Sequence, residues 1–385
     1  MAPQRTTPLH SEHTALGASF TDFGGWLMPV RYSSDLAEHH AVRQAAGLFD
    51  ISHMGEIVVD GPQSAAFLDF ALAGAISRIP VGRAKYTMIL AEDGGIIDDL
   101  IVYRTGEHRF LIVANAGNRE TVVEELRARI SSFAFRRTAE TTTGGTFAYV
   151  VGDTGVELED VSDQFALLAL QGPAAERILG ETPGVVHLSQ PLAALRAYAW
   201  ASATFQGEPL VIARTGYTGE DGFELLVPAR HAVSLWRALL EAGEPHQLVP
   251  AGLAARDTLR LEAGMPLYGH ELSRGIRPEQ AGLGRVIPAG KRDFVGEHMA
   301  DPDAPVLIGL SADGRRAGRA GYGVFRGDDR VGEITSGALS PTLGHPVAMA
   351  YVRPDAAEAP DLTIDIRGTR VPASVTALPF YRRIS

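Results

Sequence analysis

Apolar positions recur in two rhythms along this chain. Short runs at residues 55–59, 86–90, 96–103 and 109–114 are punctuated by Glu92-Asp93-Gly94-Gly95 and Thr105-Gly106, which predicts strands joined by tight turns. Helical spacing predicts a helix over 33–47, with Ser33, Ser34 or Asp35 as N-cap and Gly47 as C-cap, and a second over 118–130. Further on, 209–227 reads as a hairpin turning at 219–222, and 230–242 and 252–263 read as helices, the latter capped by Gly264.

The octets GPQSAAFL (61–68) and GPAAERIL (172–179) each follow a strand and open a helix. Pro62 and Pro173 then fall in a first helical turn, where a fixed φ fits and the missing N–H was unpaired anyway. Such repetition is consistent with an internal duplication of a strand–helix unit. Beyond the Pro/Gly-rich stretch 282–305 only short strands and turns recur, which predicts a small β-barrel from about residue 305. The fold class is α+β, with mixed lobes followed by a barrel.

At 385 residues the chain exceeds the usual single domain, so two or three packed units are expected. Its formal charge of −11, from 46 acidic and 35 basic residues, argues against a broad nucleic-acid surface, because phosphate binding needs concentrated positive charge. An anionic small molecule would instead need a local arginine cluster. No run of about 18 apolar residues suggests a membrane span, and the stretch from Met1 to Pro8 is too short and polar for a secretory signal. A bacterial cytoplasmic protein is therefore expected. With no cysteine, disulfides, thiolate zinc sites, iron–sulfur ligation and cysteine nucleophiles are removed together. Phosphate-loop, dinucleotide, zinc-protease and serine-hydrolase motifs are absent too, and no histidine spacing suggests a metal site.

The segment GGIIDDLIVY (94–103) places two acids inside an apolar strand. Strict alternation puts Asp99 on one face with Ile97, Ile101 and Tyr103, and Asp98 on the other with Ile96, Leu100 and Val102. At least one carboxylate is then partly buried, and must be hydrogen-bonded, carry a raised pKa or face a ligand cavity. Alternatively, both lie at a strand end and cap the neighbouring turn. In RTGYTGEDGFEL (214–225), Glu224 lies on the side of Leu226, opposite Phe223 and Leu225. It is either a carboxylate that accepts two N–H groups from a flat amidine-like ring or a solvent-facing residue of an edge hairpin. Arg256 and Arg260, one helical turn apart, either hold a carboxylate tail or pair with Asp257 or Glu262. His53, in FDISHMGE, reads as a satisfied structural histidine.

Together with TPLHSEHTALGA, DFGGWLMPV, GLAARDTLRLEAG followed by LYGHEL, GEITSGALSPTLG and PFYRR, these segments resemble the T-protein (aminomethyltransferase) family of the glycine cleavage system along nearly the whole chain. The resemblance implies a three-domain cloverleaf around a central folate cavity. Residues 1–50 with 145–285 would form a first, folate-binding lobe, 51–144 a second lobe with the catalytic strand, and 286–385 the barrel. It also implies transfer of the methylene carbon of an aminomethyl group, carried on the dihydrolipoyl arm of H-protein, to tetrahydrofolate, with release of ammonia. Asp99 would be the functional acid near the reacting folate amines. Glu224 would clamp the pterin, and Arg256 would bind the tail with Tyr381 and Arg382. Asn115, Tyr86, Tyr198, Tyr217 and Met54 match positions near the folate. Residues 277–285 depart from the commonest family pattern, which bears on that part of the cavity wall.

Two rival readings share the fold: a folate-dependent N- or S-demethylase, which needs no lipoyl carrier, and a folate-binding accessory protein of iron–sulfur assembly. The latter carries a K-G-C-Y-x-G-Q-E signature that this chain lacks.

Overall fold

The computed structural model describes residues 4–141 and 155–383, and side chains outside 135–141. The first part of the chain forms α1 (His10–Ala15), a separate hairpin of β1 (Ser19–Phe23) and β2 (Trp26–Arg31), α2 (Asp35–Gln44) and β3 (Ala46–Asp50). Then come β4 (Gly55–Asp60), α3 (Ser64–Ala71), β5 (Ala84–Leu90), β6 (Ile96–Arg104), β7 (Arg109–Ala114) and α4 (Arg119–Thr141). The next stretch supplies β8 (Glu157–Asp160), β9 (Phe165–Gln171), α5 (Ala175–Glu181), β10 (Val185–Val186), β11 (Trp200–Phe205), β12 (Glu208–Ala213), β13 (Gly222–Pro228), α6 (Ala232–Gly243), β14 (Leu248–Pro250) and α7 (Leu253–Glu262). Six strands complete the fold: β15 (Val306–Ala312), β16 (Gly323–Arg326), β17 (Asp329–Leu339), β18 (Pro346–Val352), β19 (Leu362–Ile366) and β20 (Thr369–Thr376).

They build three bodies. A first lobe has a seven-stranded sheet ordered β10-β11-β12-β13-β9-β3-β14, and a second has a five-stranded sheet ordered β5-β6-β7-β4-β8. The third is a closed barrel, β15-β18-β17-β16-β19-β20. One face of the first sheet buries Phe223 and Leu225 under α5 and α6, which contributes Trp236, and one face of the second buries Leu100 and Val102 under α4 and α3, which contributes Phe67. The opposite faces share a core in which Tyr103, Leu111 and Val113 of the second sheet meet Ala169, Ala213 and Leu226 of the first. That shared face is where a site between the lobes can form. Because β8 pairs with β4, the second lobe extends beyond residue 144; the boundary expected at 145 lies outside the described residues.

Local rules account for most elements, with three corrections. Ser34 caps α2 by accepting the Ala37 N–H, but the helix stops at Gln44 and Gly47 lies within β3. Gly47 is needed for close packing there: a Cβ would come within 2.5 Å of the Val42 side chain. Pro62 and Pro173 precede the N-caps Gln63 and Ala174 rather than occupying the first turn. A bulge in β6 breaks the alternation expected before Asp98. Leu90 pairs with Ile96 and Ile89 with Asp98, so Ile97 is the extra residue and turns into the second-lobe core with Leu100.

A buried network ties the barrel to the first lobe. Glu262 accepts hydrogen bonds from Arg43 Nη2 at 2.8 Å, from Ser340 Oγ and from both the backbone and the hydroxyl of Thr342, with His39 Nε2 at 3.3 Å. Arg43 also donates to the Thr218 carbonyl and to Glu220, and its guanidinium lies 4.1 Å from the centre of the Tyr381 ring. Burial alone would push the Glu262 carboxyl up; hydrogen bonds and charge from His39, Ser340 and Arg43 hold it down at about 2.

Candidate active site

From Asp98 onward, strand alternation is regular. Asp99, Ile101 and Tyr103 face the junction of the lobes, while Leu100 and Val102 face the second-lobe core. Asp98 is fully buried, and Asp99 keeps partial access. Both carboxylates are hydrogen-bonded, and neither caps the turn that opens β6. Asp98 accepts the backbone N–H of Asn115 at the start of the turn into α4, as a capping acid does. Asp99 accepts the Tyr86 hydroxyl at 3.1 Å and Asn115 Nδ2 at 2.7 Å.

Among the described residues neither carboxylate has an arginine, lysine or histidine ion-pair partner, whereas Glu262 has both Arg43 and His39. Burial pushes both members of the pair above the usual carboxylate range, Asp98 to about 8 with the charge of Asp99 adding to the rise, and Asp99 to about 6. Asp99 is thus a partly accessible acid, close to its proton-exchange range, with no compensating cation.

Around it stand Tyr86, Tyr198 and Tyr217, each with a phenol pushed up by burial. Tyr198 adopts a positive φ of 57° and is 42% exposed, which places it at the rim. Met54 follows the turn after β3 and is half-buried against the shared core.

Glu224 comes from the first lobe. Its strand β13 lies between β12 and β9 rather than at an edge, so the solvent-facing reading fails, and the residue is only 8% exposed. Thr215 and the Tyr103 hydroxyl, which crosses from the second lobe, both donate to Oε2; no described group donates to Oε1. Arg256 lies on α7 with its guanidinium 4.8 Å from the centre of the Tyr217 ring. It senses the charge of Glu224 without closing into an ion pair, and its buried Nη1 has no partner among the described residues. A carboxylate and a guanidinium held apart, each with unused hydrogen-bonding capacity, could together bind a planar ligand bearing both donors and acceptors.

Arg260 turns to Asp257, Glu271 and Ser336 and joins α7 to the barrel, so the structural alternative holds for Arg260 and the two guanidiniums do not act as a pair. Tyr381 is engaged by Arg43, and Arg382 is exposed. The divergent stretch at 277–285 contributes Ala281 and Leu283 to a cluster with Met88 and Leu90, and so walls the far end of β5 and β6.

His53 requires a correction. It is buried against Phe23, yet its Nδ1 finds no partner among the described residues. Burial pushes its imidazole down to about 4, with Asp50 opposing and Arg256 assisting, so it is neutral at pH 7. A satisfied histidine would not carry an orphaned nitrogen beside an orphaned guanidinium nitrogen. Sequence reasoning missed His53, and also Thr215 and Tyr103, because nothing in their spacing shows that two sheets bring them together.

A partly accessible carboxylate without a cationic partner, with Glu224 and Arg256 from the first lobe, is an arrangement able to bind a small polar molecule on an α+β fold of two sheets and a barrel. Comparison with known proteins narrows that reading. The chain matches the GCVT N-terminal domain over residues 9–291 and the glycine cleavage T-protein C-terminal barrel domain over residues 306–382. It is 50% identical to an aminomethyltransferase of Cutibacterium acnes over the whole of both chains, and 52% identical to one of Streptomyces avermitilis over 98% of each. The crystal structure of the glycine cleavage system aminomethyltransferase T from Bartonella henselae superposes with a TM-score of 0.83 at 34% identity, covering 99% of this chain and 100% of that one. The chain belongs to the glycine cleavage T-protein family, and its activity is that of an aminomethyltransferase.

Proposed function

We propose that this enzyme transfers the methylene carbon of an aminomethyl group, presented on the dihydrolipoyl arm of the glycine cleavage H-protein, to tetrahydrofolate, breaking that carbon's bonds to nitrogen and sulfur to release ammonia and the reduced arm and forming 5,10-methylenetetrahydrofolate, and that the reaction runs at Asp99. The observation that carries this reading is a partly accessible Asp99 without a cationic partner, set across the lobe junction from Glu224 and Arg256. Tetrahydrofolate supplies the two amines that receive the carbon. Glu224 suits the paired N–H groups of a pterin edge through its unused Oε1, and Arg256 offers Nη1 to a folate oxygen, carboxylate or carbonyl. Exposed Arg382 serves the anionic tail, while Asn115, Tyr86, Tyr198, Tyr217 and Met54 line the space around the ligand.

At the reacting centre Asp99 orients a weakly nucleophilic amine by hydrogen bonding and attracts the positive charge that develops as ammonia leaves. Away from bulk water that attraction is stronger than between exposed groups. Tyr86 and Asn115 fix its direction. Among the described residues no helix is long and apolar enough to cross a membrane, and a cytoplasmic location is part of the proposal. The test is ammonia release from aminomethyl-loaded H-protein with and without tetrahydrofolate. Folate-stimulated release is expected; equal release without folate, or none with it, defeats the reading.

A further inference from the structure

Asp98 is the acid that strand alternation turns away from the lobe junction, yet its contacts lead back to Asp99. Its Oδ2 accepts the backbone N–H of Asn115 at 2.9 Å, and its Oδ1 accepts Nδ2 of Asn115 at 2.9 Å and Nδ2 of Asn118 at 2.7 Å. These asparagines bracket the short turn that opens α4, so one buried carboxylate fixes both ends of it. Asn115 carries the geometry onward, because the same Nδ2 reaches Asp99 Oδ1 at 2.7 Å and the Asp99 carbonyl at 3.2 Å. The turn is also backed from outside by the tip of the β1–β2 hairpin, where a Cβ on Gly24 would lie 3.4 Å from the Gly117 nitrogen and where Gly24 has a positive φ of 59°. A neutral amide at position 98 would lose one acceptor oxygen and turn an N–H toward donors that need an acceptor.

We propose that Asp98 is a positioning residue for the transfer reaction. By clamping Asn115 and Asn118, it makes the Asn115 amide hold one oxygen of Asp99, and the other oxygen, shared with the Tyr86 hydroxyl, is aimed at the reacting amine. This rests on the reading of Asp99 as the reacting carboxylate. The other titratable groups facing the pair are Tyr86 from β5, Tyr217 from the loop before β13 and Tyr268 from the segment after α7. None is a cation. Asp99 ionises at about 6, below Asp98 at about 8, so Asp98 is neutral where Asp99 titrates and acts on it through the Asn115 amide rather than through charge.

A double-mutant cycle on the whole enzyme separates this role from a purely structural one. Ammonia release is measured with aminomethyl-loaded H-protein and tetrahydrofolate for Asp98→Asn, Asp99→Asn and the double variant, across pH and beside thermal melts. Asp98→Asn is expected to lower kcat about tenfold or more at an unchanged folate KM, to leave the acid limb of kcat at about 6, and to cost nothing further in the Asp99→Asn background. Losses that multiply, or a raised folate KM at unchanged kcat, overturn the positioning role while leaving Asp99 as the reacting group. Normal turnover by Asp99→Asn overturns the reading beneath it instead. If Asp98→Asn does not melt cooperatively, Asn118→Ala takes its place in the cycle, because it removes one donor from Asp98 and none from Asp99. Its smaller loss is expected to vanish in the Asp99→Asn background, and a loss that persists there overturns the role.

Discussion

Glu262, at the seam between first lobe and barrel, and the Asp98–Asp99 pair, at the junction of the two lobes, are all carboxylates withdrawn from water. Glu262 meets a guanidinium, an imidazole, two hydroxyls and a backbone N–H. The pair meets amides and a phenol but no cation among the described residues. Their proton affinities move in opposite directions, Glu262 down to about 2 and Asp99 up to about 6. A compensated buried acid holds the bodies together, and an uncompensated one is ready for a cationic transition state. The difference lies in the partners, since all are acids buried in the same molecule.

The largest expected effect breaks the compensated centre. Arg43→Ala leaves Glu262 without its guanidinium and should cost about 3–5 kcal/mol of stability, read from denaturant or thermal unfolding. A loss below the error of the melt would show that the seam does not depend on charge pairing. The same centre sets an acid limit. Because its folded pKa is depressed, Glu262 contributes stability that is present above the ordinary value of 4.5 and lost as pH falls through about 2, and Glu262→Gln should flatten that limb.

Next is the uncompensated centre, where Asp99→Asn should lower kcat by about 10²-fold or more with the folate KM nearly unchanged. Wild-type kcat should fall as pH drops through about 6, when Asp99 takes up a proton. Full activity in Asp99→Asn, or a flat profile through that range, would remove Asp99 from the reaction. Across the junction, Glu224→Gln should weaken tetrahydrofolate binding by about 1–3 kcal/mol, measured by calorimetry; unchanged affinity would take Glu224 out of the binding site.

The smallest effect sharpens the contrast by its sign. The raised pKa of Asp99 means that ionising it in the folded protein costs stability as pH climbs through about 6. At pH 8 Asp99→Asn should therefore melt slightly above the wild type, by about a degree or two, as residues kept for function rather than stability tend to do. A lower melting temperature would mean that Asp99 is held in place for stability.

Strand and helix positions were legible wherever periodicity was regular: β7 falls where the pattern put it and the barrel begins at Val306, whereas β12 and β13 are joined through residues 214–221 rather than by a tight turn at 219–222. The failures share a physical cause. Gly47 looked like a cap because composition cannot show that Val42 presses on it, and the β6 bulge was invisible because an extra residue leaves no mark in hydrophobic alternation. At the site, alternation correctly sent Asp99 and Glu224 to chosen faces, but not toward each other. The orphaned nitrogens of His53 and Arg256, and the amide linking Asp98 to Asp99, arise from contacts between segments far apart in sequence, which no local pattern records.

The seam around Arg43 has a further consequence, in time rather than in energy. Its hydrogen bonds span 175 residues to Thr218, 219 to Glu262 and 299 to Thr342. Contacts so distant along the chain close loops whose entropy must be lost before the contact returns anything, so they form late. A contact made late is largely absent from the folding transition state, and weakening it mainly hastens unfolding. The seam is thus a kinetic clasp: it governs how long a finished molecule stays assembled more than how quickly one is made.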